Sequence, residues 1–320
     1  MIRRVPLQDI DLEDHSFRIS EELESDMLRR SLLEVGQLNP VILLRRQAHR
    51  LTVVAGFRRL TALRGMAAAD APATVCADGE VSALQAFRLA LWDNLSHRRL
   101  STLELGRSLH VLHATCGLTA EILIADYLPL LGLAPSRQVL AAYLALNHLH
   151  PVLRRLVQEG RIAVRTAERL AGYTAAVQEK MSSVLGRIRL SASLQRQFLD
   201  AVEELAQMQD ARLIQELEAP EVLAVLDEPE RSPFQKGERI MDVLGRRLYP
   251  RLSAARARFE ADREEMGFPS GVRLTPDPFF ETSRLRVEFE VSSAAHLRAV
   301  AAELHRASLE TGLERLFKID

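Results

Sequence analysis

Aromatic residues are scarce in this chain of 320 residues, where they make up only 5% of the sequence. Leucine, valine, isoleucine and alanine must therefore build the cores, and this composition favours helices over β-sandwiches or barrels. Hydrophobic residues still account for 47% and charged residues for 27% of the chain, which is typical of a globular protein. At this length, two or three domains of ordinary size are expected.

Cysteines and long hydrophobic runs are also lacking. Cys76 and Cys116 are far apart and have no CxxC partner, so a structural zinc site is excluded and two reduced, buried thiols are expected. No stretch approaches the roughly 20 uncharged apolar residues that cross a bilayer. The N-terminal residues (MIRRVP) contain no apolar core of a signal peptide. We therefore expect a cytoplasmic protein with no membrane partner.

The net charge is only −1, but the charges are unevenly distributed. Residues 97–169 contain nine arginines against five acidic residues, whereas residues 200–231 contain ten acidic residues against two arginines. A basic middle segment is what a module that binds nucleic-acid phosphates requires. The solvated surface of an ordinary helical domain is the alternative interpretation.

Hydrophobic periodicity predicts a multidomain, mainly α-helical protein with three domains. Residues 1–95 alternate strand and helix patterns and are predicted to form a small α/β domain. Residues 96–228 are almost wholly helical, and an acidic, proline-containing linker follows them. Residues 234–320 are predicted to form a small α+β domain with the order α-β-β-α, which would bury more apolar surface as a dimer than alone.

Three local features of the helices are also predicted. Ser20 is a plausible N-cap for an amphipathic helix over residues 20–35. Pro129 is expected to break the helix that begins near Thr119. A single long helix is expected over residues 235–266.

The most informative motif follows the predicted strand over residues 51–55. Gly56 lets the backbone approach a ligand closely, and the N–H groups after it open a helix, where anions bind. Arg58 and Arg59 supply charge-assisted donors for phosphate oxygens. The motif therefore indicates a polyphosphate pocket, and a turn glycine followed by two solvated arginines is the alternative.

Asp93 and Asn94 form the second candidate site. A carboxylate beside an amide can hold a magnesium ion on a phosphate. The ordinary end of a helix is the alternative. No catalytic residue stands out from the sequence, and Asp93 is the one candidate.

Two capped helices in the basic segment form a candidate DNA-binding motif. Thr119 is the predicted N-cap of the first helix and Ser136 that of the second. In a helix-turn-helix, first-turn residues of the second helix face base edges in the major groove. Arg137 and Gln138 occupy that turn, and these residue types read guanine and adenine, respectively. A plain helical bundle is the alternative.

Several of these motifs, in this order, resemble the ParB family of partition proteins. Residues 36–41 (GQLNPV), 53–59 (VVAGFRR) and 93–95 (DNL) look like its sulfiredoxin-like N-terminal domain, and residues 149–162 (LHPVLRRLVQEGRI) resemble the segment after its recognition helix. The resemblance fades after about residue 175. It implies binding of CTP and Mg²⁺, a clamp on DNA, a homodimer, a ParA-type ATPase partner and association with the nucleoid.

The resemblance also implies roles for individual residues. Gly56, Arg58 and Arg59 would contact the triphosphate, and Asn94, with Asp93, would hold magnesium. The chain departs from the family at four positions, which are Phe57 for a glutamate, Thr61 for a basic residue, Asp93 for a glutamate and His97 for an arginine. CTP binding is therefore expected, whereas CTP hydrolysis is open. Phe57 also replaces the cysteine that sulfiredoxin chemistry needs.

Three hypotheses for the function follow. The first is a sequence-specific, CTP-responsive DNA-binding protein that acts in chromosome or plasmid partition. The second is a DNA-binding regulator or adaptor whose nucleotide pocket has degenerated. The third is an enzyme, such as a nuclease built on the same pocket with His97 as an available catalytic group.

Overall fold

The computed structural model describes residues 2–46, 51–77, 79–207, 210–268, 271–309 and 313–317. Contacts within the chain define two compact units, Met1–Gln195 and Arg196–Asp320, here called unit 1 and unit 2. The boundary predicted at residue 95 lies inside unit 1, and the division into three domains stays a prediction. None of the described helices is both long and apolar enough to cross a membrane.

A five-stranded mixed sheet forms the first part of unit 1. Its strands are β1 (Ile2–Pro6), β2 (Ile10–Asp11), β3 (Val41–Arg45), β4 (Leu51–Ala55) and β5 (Asp70–Cys76). Their order across the sheet is β1-β5-β3-β4-β2, with β3 parallel to β5 and antiparallel to β4. All five residues of β4 are buried; four are apolar, and the hydroxyl of the fifth, Thr52, donates to Asp14 Oδ2.

Helices make up the rest of unit 1. Those that accompany the sheet are α1 (Asp26–Val35), α2 (Phe57–Gly65) and α3 (Ala83–Leu95). Those that follow it are α4 (Thr102–His110), α5 (Ala120–Ile122), α6 (Leu128–Leu130), α7 (Arg137–Ala145), α8 (Pro151–Gln158), α9 (Val164–Ala171) and α10 (Ala175–Leu185). A π-helical turn extends α4, and another joins α5 to α6. The helical character of this segment agrees with the prediction.

One hydrophobic core joins the sheet to the helices that follow it. Phe17, Val54 and Phe87, from the N-terminal part, share this core with Leu112 and Leu128 of the helical part. Each of these five side chains is almost completely buried. Because dense packing resists changes of volume, this core holds the first helices of the basic segment rigidly against one side of β4.

The remaining elements begin at the boundary between the units. Helix α11 (Ala192–Ala206) contains that boundary. Unit 2 then contains α12 (Asp210–Leu217), α13 (Pro220–Asp227), α14 (Pro233–Leu248), α15 (Pro250–Glu265), β6 (Val272–Pro276), β7 (Leu285–Phe289) and α16 (Ala294–Ser308). β6 and β7 pair as an antiparallel hairpin. Phe259 of α15, Leu274 of β6 and Leu316 form a small hydrophobic core.

The helix predicted from residue 20 begins instead at Asp26, so the predicted cap was wrong. Ser25 is the N-cap, and its hydroxyl accepts the Leu28 N–H. Ser20 is buried, and its hydroxyl accepts a hydrogen bond from Arg98. Long-range hydrogen bonds of this kind override local capping preference, and a sequence pattern does not reveal them.

Two predictions about where helices end were also wrong. Pro129 does not break its helix, because residues 120–130 stay helical through the π-helical turn Leu123–Tyr127 just before it. The i→i+5 pairing of that turn replaces the i→i+4 bond that the missing N–H group of proline would otherwise leave open. The long helix expected over residues 235–266 is two helices. Tyr249 leaves helical geometry between them, and Pro250 opens α15. A residue before proline is disfavoured in the α conformation, which accounts for the break.

Candidate functional site

The junction between β4 and α2 brings the backbone close to a neighbouring strand. Gly56 is the N-cap residue of α2 and has φ of +106°. A Cβ atom at this position would lie 2.5 Å from Cγ1 of Val41. Only glycine fits both the conformation and the space. No side chain caps the first turn of α2, so its first N–H groups remain available to an anion.

A cavity of about 230 Å³ opens at this helix end, and it is here called the main pocket. One wall is apolar and includes Phe17, Ile19 and Val54. The other wall is polar and contains Ser20, Asn39, Arg58, Arg59, Asp93, Asn94, His97 and Arg98. The structure thus brings together the four residues predicted for nucleotide binding, with Asp93 beside them. An apolar wall facing convergent polar groups is typical of a small-molecule site.

Arg58 leaves a buried donor without an acceptor. Its side chain is half-buried in the wall of the main pocket, and its Nε atom has no hydrogen-bond partner. A buried donor that stays unsatisfied costs about 1–3 kcal/mol, and more when it is charged. An anionic ligand would supply the acceptor that this N–H group lacks.

Arg59 is held by the protein itself. Its Nη1 donates to the carbonyl oxygens of Asn39 (2.8 Å) and Pro40 (3.0 Å), and its Nη2 lies 3.1 Å from Asp93 Oδ2. The side chain is 16% exposed. Burial lowers the pKa of Arg59, and the charge of Asp93 opposes this shift. In this structure Arg59 therefore ties α2 to α3 and to the segment before β3.

The predicted magnesium ligands are also engaged. Asn94 Oδ1 accepts a hydrogen bond from Arg98 Nη2 at 2.8 Å, and Asn94 Nδ2 donates to the Ala90 carbonyl oxygen at 2.9 Å. Among the described residues, no group of three or more His, Cys, Asp or Glu side chains could hold a metal ion. Mg²⁺ commonly binds through one or two protein oxygens together with substrate phosphates. Asp93 and Asn94 fit that mode, with a phosphate ligand completing the site.

Arg98 is a pocket residue that the sequence analysis did not select, and His97 is one that it named only as a departure from the family pattern and as an available catalytic group. Arg98 donates to Glu104 Oε2 (2.6 Å) and Ser20 Oγ (3.1 Å), as well as to Asn94. His97 Nδ1 lies 2.7 Å from the Asp93 carbonyl oxygen. Arg98 follows the end of α3, four residues after Asn94, and its backbone N–H still donates to the Asn94 carbonyl oxygen. No local signal pointed to Ser20.

The partner of Arg98 is a buried carboxylate. Glu104 is 7% exposed as a side chain, and it also accepts the backbone N–H groups of Ser101 and Glu21. Burial alone would raise the pKa of Glu104, but the hydrogen bonds from Arg98 and Ser101 outweigh it and lower that pKa. Glu104 therefore stays ionised at neutral pH and fixes the start of α4 beside the pocket.

A second ion-pair cluster is centred on Glu21, the residue after Ser20. Glu21 Oε2 accepts from Arg107 on α4, and Glu21 Oε1 accepts from Arg154 on α8, both at 2.6 Å. All three side chains are mostly buried. Because Ser20 lines the main pocket, this cluster anchors one pocket wall to two helices of the basic segment.

The predicted DNA-binding residues lie at the starts of α5 and α7. Thr119 and Ser136 are N-caps, as predicted, and their hydroxyls accept the N–H groups of the third helical residues at 3.5 and 3.4 Å. Arg137 is strongly exposed and lies 3.4 Å from Glu121. Gln138 is exposed too, and its Oε1 accepts from Arg165 on α9 at 3.1 Å. Arg165 is a neighbour that the sequence analysis missed.

Replacing Gly56 by alanine tests the close approach at the pocket. We expect Gly56→Ala to lower the free energy of unfolding by about 1–3 kcal/mol for the strained backbone alone, with an additional loss from the contact with Val41. Gly117→Ala is the control, because Gly117 also has positive φ but has open space around it. Urea unfolding followed by circular dichroism measures both losses. Equal losses would contradict a packing requirement at Gly56.

Comparisons with known proteins found similarity among solved structures alone. No family model matches the chain, and no curated protein does. Fifteen chains of solved structures match it. They include two structures of the C-terminally truncated chromosome-partitioning protein ParB from Caulobacter crescentus, one complexed with CTP-gamma-S and one with the centromeric parS site.

The two likenesses are distant. The CTP-gamma-S complex is 22% identical, covers 57% of this chain and 98% of its own, and has a TM-score of 0.27. The parS complex is 20% identical, covers 60% of this chain and 96% of its own, and has a TM-score of 0.33. Because both TM-scores are low, these likenesses do not decide the family or the function, which depend on the site itself.

Proposed function

We propose that this protein is a ParB-like, sequence-specific DNA-binding protein that responds to a nucleotide and acts in chromosome or plasmid partition. The observation that carries the proposal is the buried, unpartnered Arg58 Nε in a cavity that opens on the uncapped start of α2. The exposed first turn of α7, in the same unit, supports the DNA-binding part. The ligand proposed is CTP with Mg²⁺, as the resemblance of the motifs implies.

The residues of the main pocket suit different parts of a nucleotide. Phe17 and Val54 offer an apolar wall for a base, and the first turn of α2 offers N–H groups for phosphate oxygens. Arg58 donates to the same phosphates. Asp93 and Asn94 would hold Mg²⁺, which neutralises phosphate charge when bound.

We propose that the pocket binds rather than rapidly hydrolyses its nucleotide. Phe57 stands where the resembling family has an acid, and its side chain is buried. Asp93 has one carboxylate oxygen paired with Arg59. Neither residue is placed as a general base for water, so a CTPase activity would be slow.

A second candidate function is a DNA-binding regulator without nucleotide response. One observation favours it, namely that Asn94 Oδ1 is bonded to Arg98 and Asp93 Oδ2 to Arg59. If these bonds persist, both magnesium ligands are occupied by the protein. Binding of CTP to the wild-type chain separates the two candidates.

Arg58→Ala tests the nucleotide site. We expect CTP affinity in the presence of Mg²⁺ to fall by at least about tenfold, because a hydrogen bond to a charged group contributes about 1.5–3 kcal/mol. Arg88→Ala is the control, since Arg88 is an exposed arginine on α3 outside the main pocket. Isothermal titration measures both. No heat from the wild-type chain would support the regulator, and an unchanged affinity for Arg58→Ala would remove Arg58 from the site.

Arg137→Ala tests the DNA-binding surface. Selection from random DNA first identifies a preferred sequence. If Arg137 reads a base, the variant should lose about 1–3 kcal/mol of binding to that sequence while its binding to scrambled DNA changes little. Fluorescence titrations at several salt concentrations measure both affinities. An equal loss of affinity for every DNA sequence would mean that Arg137 contacts only phosphates. Absence of DNA binding by the wild-type chain at low salt would contradict the proposed function.

We also propose that a second copy of the chain covers the apolar face of the β6–β7 hairpin. The strict alternation of β7 places apolar side chains on one face, yet Val287 is 44% exposed and Phe289 is exposed as well. The small core covers Leu274 of β6 but leaves these two side chains of β7 uncovered, and a sheet of only two strands adds little stability of its own. A second copy offers the same apolar face in return, as a two-fold interface requires.

Val287→Glu tests this interface. We expect light scattering after size exclusion to report a dimer for the wild-type chain and a monomer for the variant, because the buried carboxylate would lack a partner. Glu288→Gln, on the adjacent position of β7, is the control and should remain dimeric. A monomeric wild-type chain, or a dimeric Val287→Glu variant, would contradict the proposed interface.

A further inference from the structure

A second cavity, of about 250 Å³, lies beside the main pocket. Its basic wall consists of Arg58, Arg98 and Arg99. Two of these, Arg58 and Arg98, also line the main pocket. The side chains of Arg58 and Arg98 thus belong to the lining of both cavities, which places the second cavity directly beside the main pocket.

The charges of the second cavity leave two arginines without a carboxylate partner. Glu104 lines it but is already bonded to Arg98. Glu22 lines it as an exposed side chain. Within the part of the chain that the structure describes, the side chains of Arg58 and Arg99 form no hydrogen bond and no ion pair. The cavity thus has an excess of positive charge and donors directed at no acceptor.

We propose that this second cavity is a subsite for the terminal phosphate of a polyphosphate ligand whose other end occupies the main pocket. The proposal deepens the proposed nucleotide function and rests on it. Arg58 bridges two successive phosphates, one in each cavity, because it lines both. Arg99 donates to the outermost phosphate only, because it lines the second cavity and not the first.

This arrangement gives Arg99 a defined role in specificity. A nucleoside triphosphate reaches the second cavity, whereas a diphosphate or monophosphate is too short to engage Arg99. The protein therefore distinguishes the triphosphate from the diphosphate at a residue that contacts neither the base nor the inner phosphates. Because Arg99 is exposed, salt weakens this discrimination.

Titration calorimetry of the full chain with CTP, CDP and inorganic tripolyphosphate, each with Mg²⁺, tests the subsite. Wild-type protein should bind CTP more tightly than CDP. Arg99→Gln should lose about tenfold in CTP affinity, equivalent to about 1.4 kcal/mol, with CDP affinity unchanged. Arg88→Gln removes an exposed arginine outside both cavities and should bind both nucleotides as the wild type does.

The outcomes separate the subsite from the nucleotide function. Equal CTP affinity in wild type and Arg99→Gln, or equal losses of CTP and CDP affinity, would overturn the subsite while leaving nucleotide binding intact. Absence of binding by both nucleotides in the wild type would overturn the nucleotide function. In that case the titration with tripolyphosphate tests the second cavity alone. Binding of tripolyphosphate that is weaker in Arg99→Gln would support an anion subsite, and absence of binding would refute it.

Discussion

The ion pair between Arg98 and the buried Glu104 is the interaction on which the pocket depends. Arg98 spans the carboxylate of Glu104, the hydroxyl of Ser20 and the amide oxygen of Asn94, which come from three separate parts of the chain. Removing one partner of such a buried pair leaves an uncompensated charge, which is strongly destabilising. The pair therefore fixes the positions of the pocket wall, the end of α3 and the start of α4 together.

The pocket and the basic segment are consequently parts of one packed unit. Phe17 contributes to the core shared with the helices, and four residues later Glu21 is bonded to Arg107 and Arg154. A ligand that displaced the wall at Ser20 would strain these contacts directly. The pocket wall and the helices of the basic segment are therefore joined by direct contacts within unit 1.

The two leading functional interpretations differ in what the pocket does with its internal bonds. A nucleotide-responsive protein must exchange the hydrogen bond between Asn94 and Arg98 for a bond to a cation. Contacts with the phosphates must then offset the free energy of the lost hydrogen bond. A degenerate pocket keeps the bond. The unsatisfied Nε of Arg58 favours the exchange, because an anionic ligand would supply the acceptor that this buried donor lacks among the described residues.

Local sequence determined the elements and the capped helix starts. The strand β4, Gly56 after it, and the caps Thr119 and Ser136 were all predicted, because strand burial, positive φ and capping depend on neighbouring residues. Gly56, Arg58, Arg59, Asp93 and Asn94 were selected from local motifs, and the structure brings them to one cavity.

Tertiary structure alone decided how those residues are used. The roles of Arg98 and Ser20 depend on bonds between residues 78 positions apart. Ser20, the predicted N-cap of α1, is engaged in this long-range bond, and Ser25 caps α1 instead. That Arg59 is internally paired while Arg58 is not also lies beyond any local pattern, since two adjacent arginines look alike in a sequence. Which charge keeps a partner depends on the folded chain around it, because burial and long-range hydrogen bonds form only when distant segments meet.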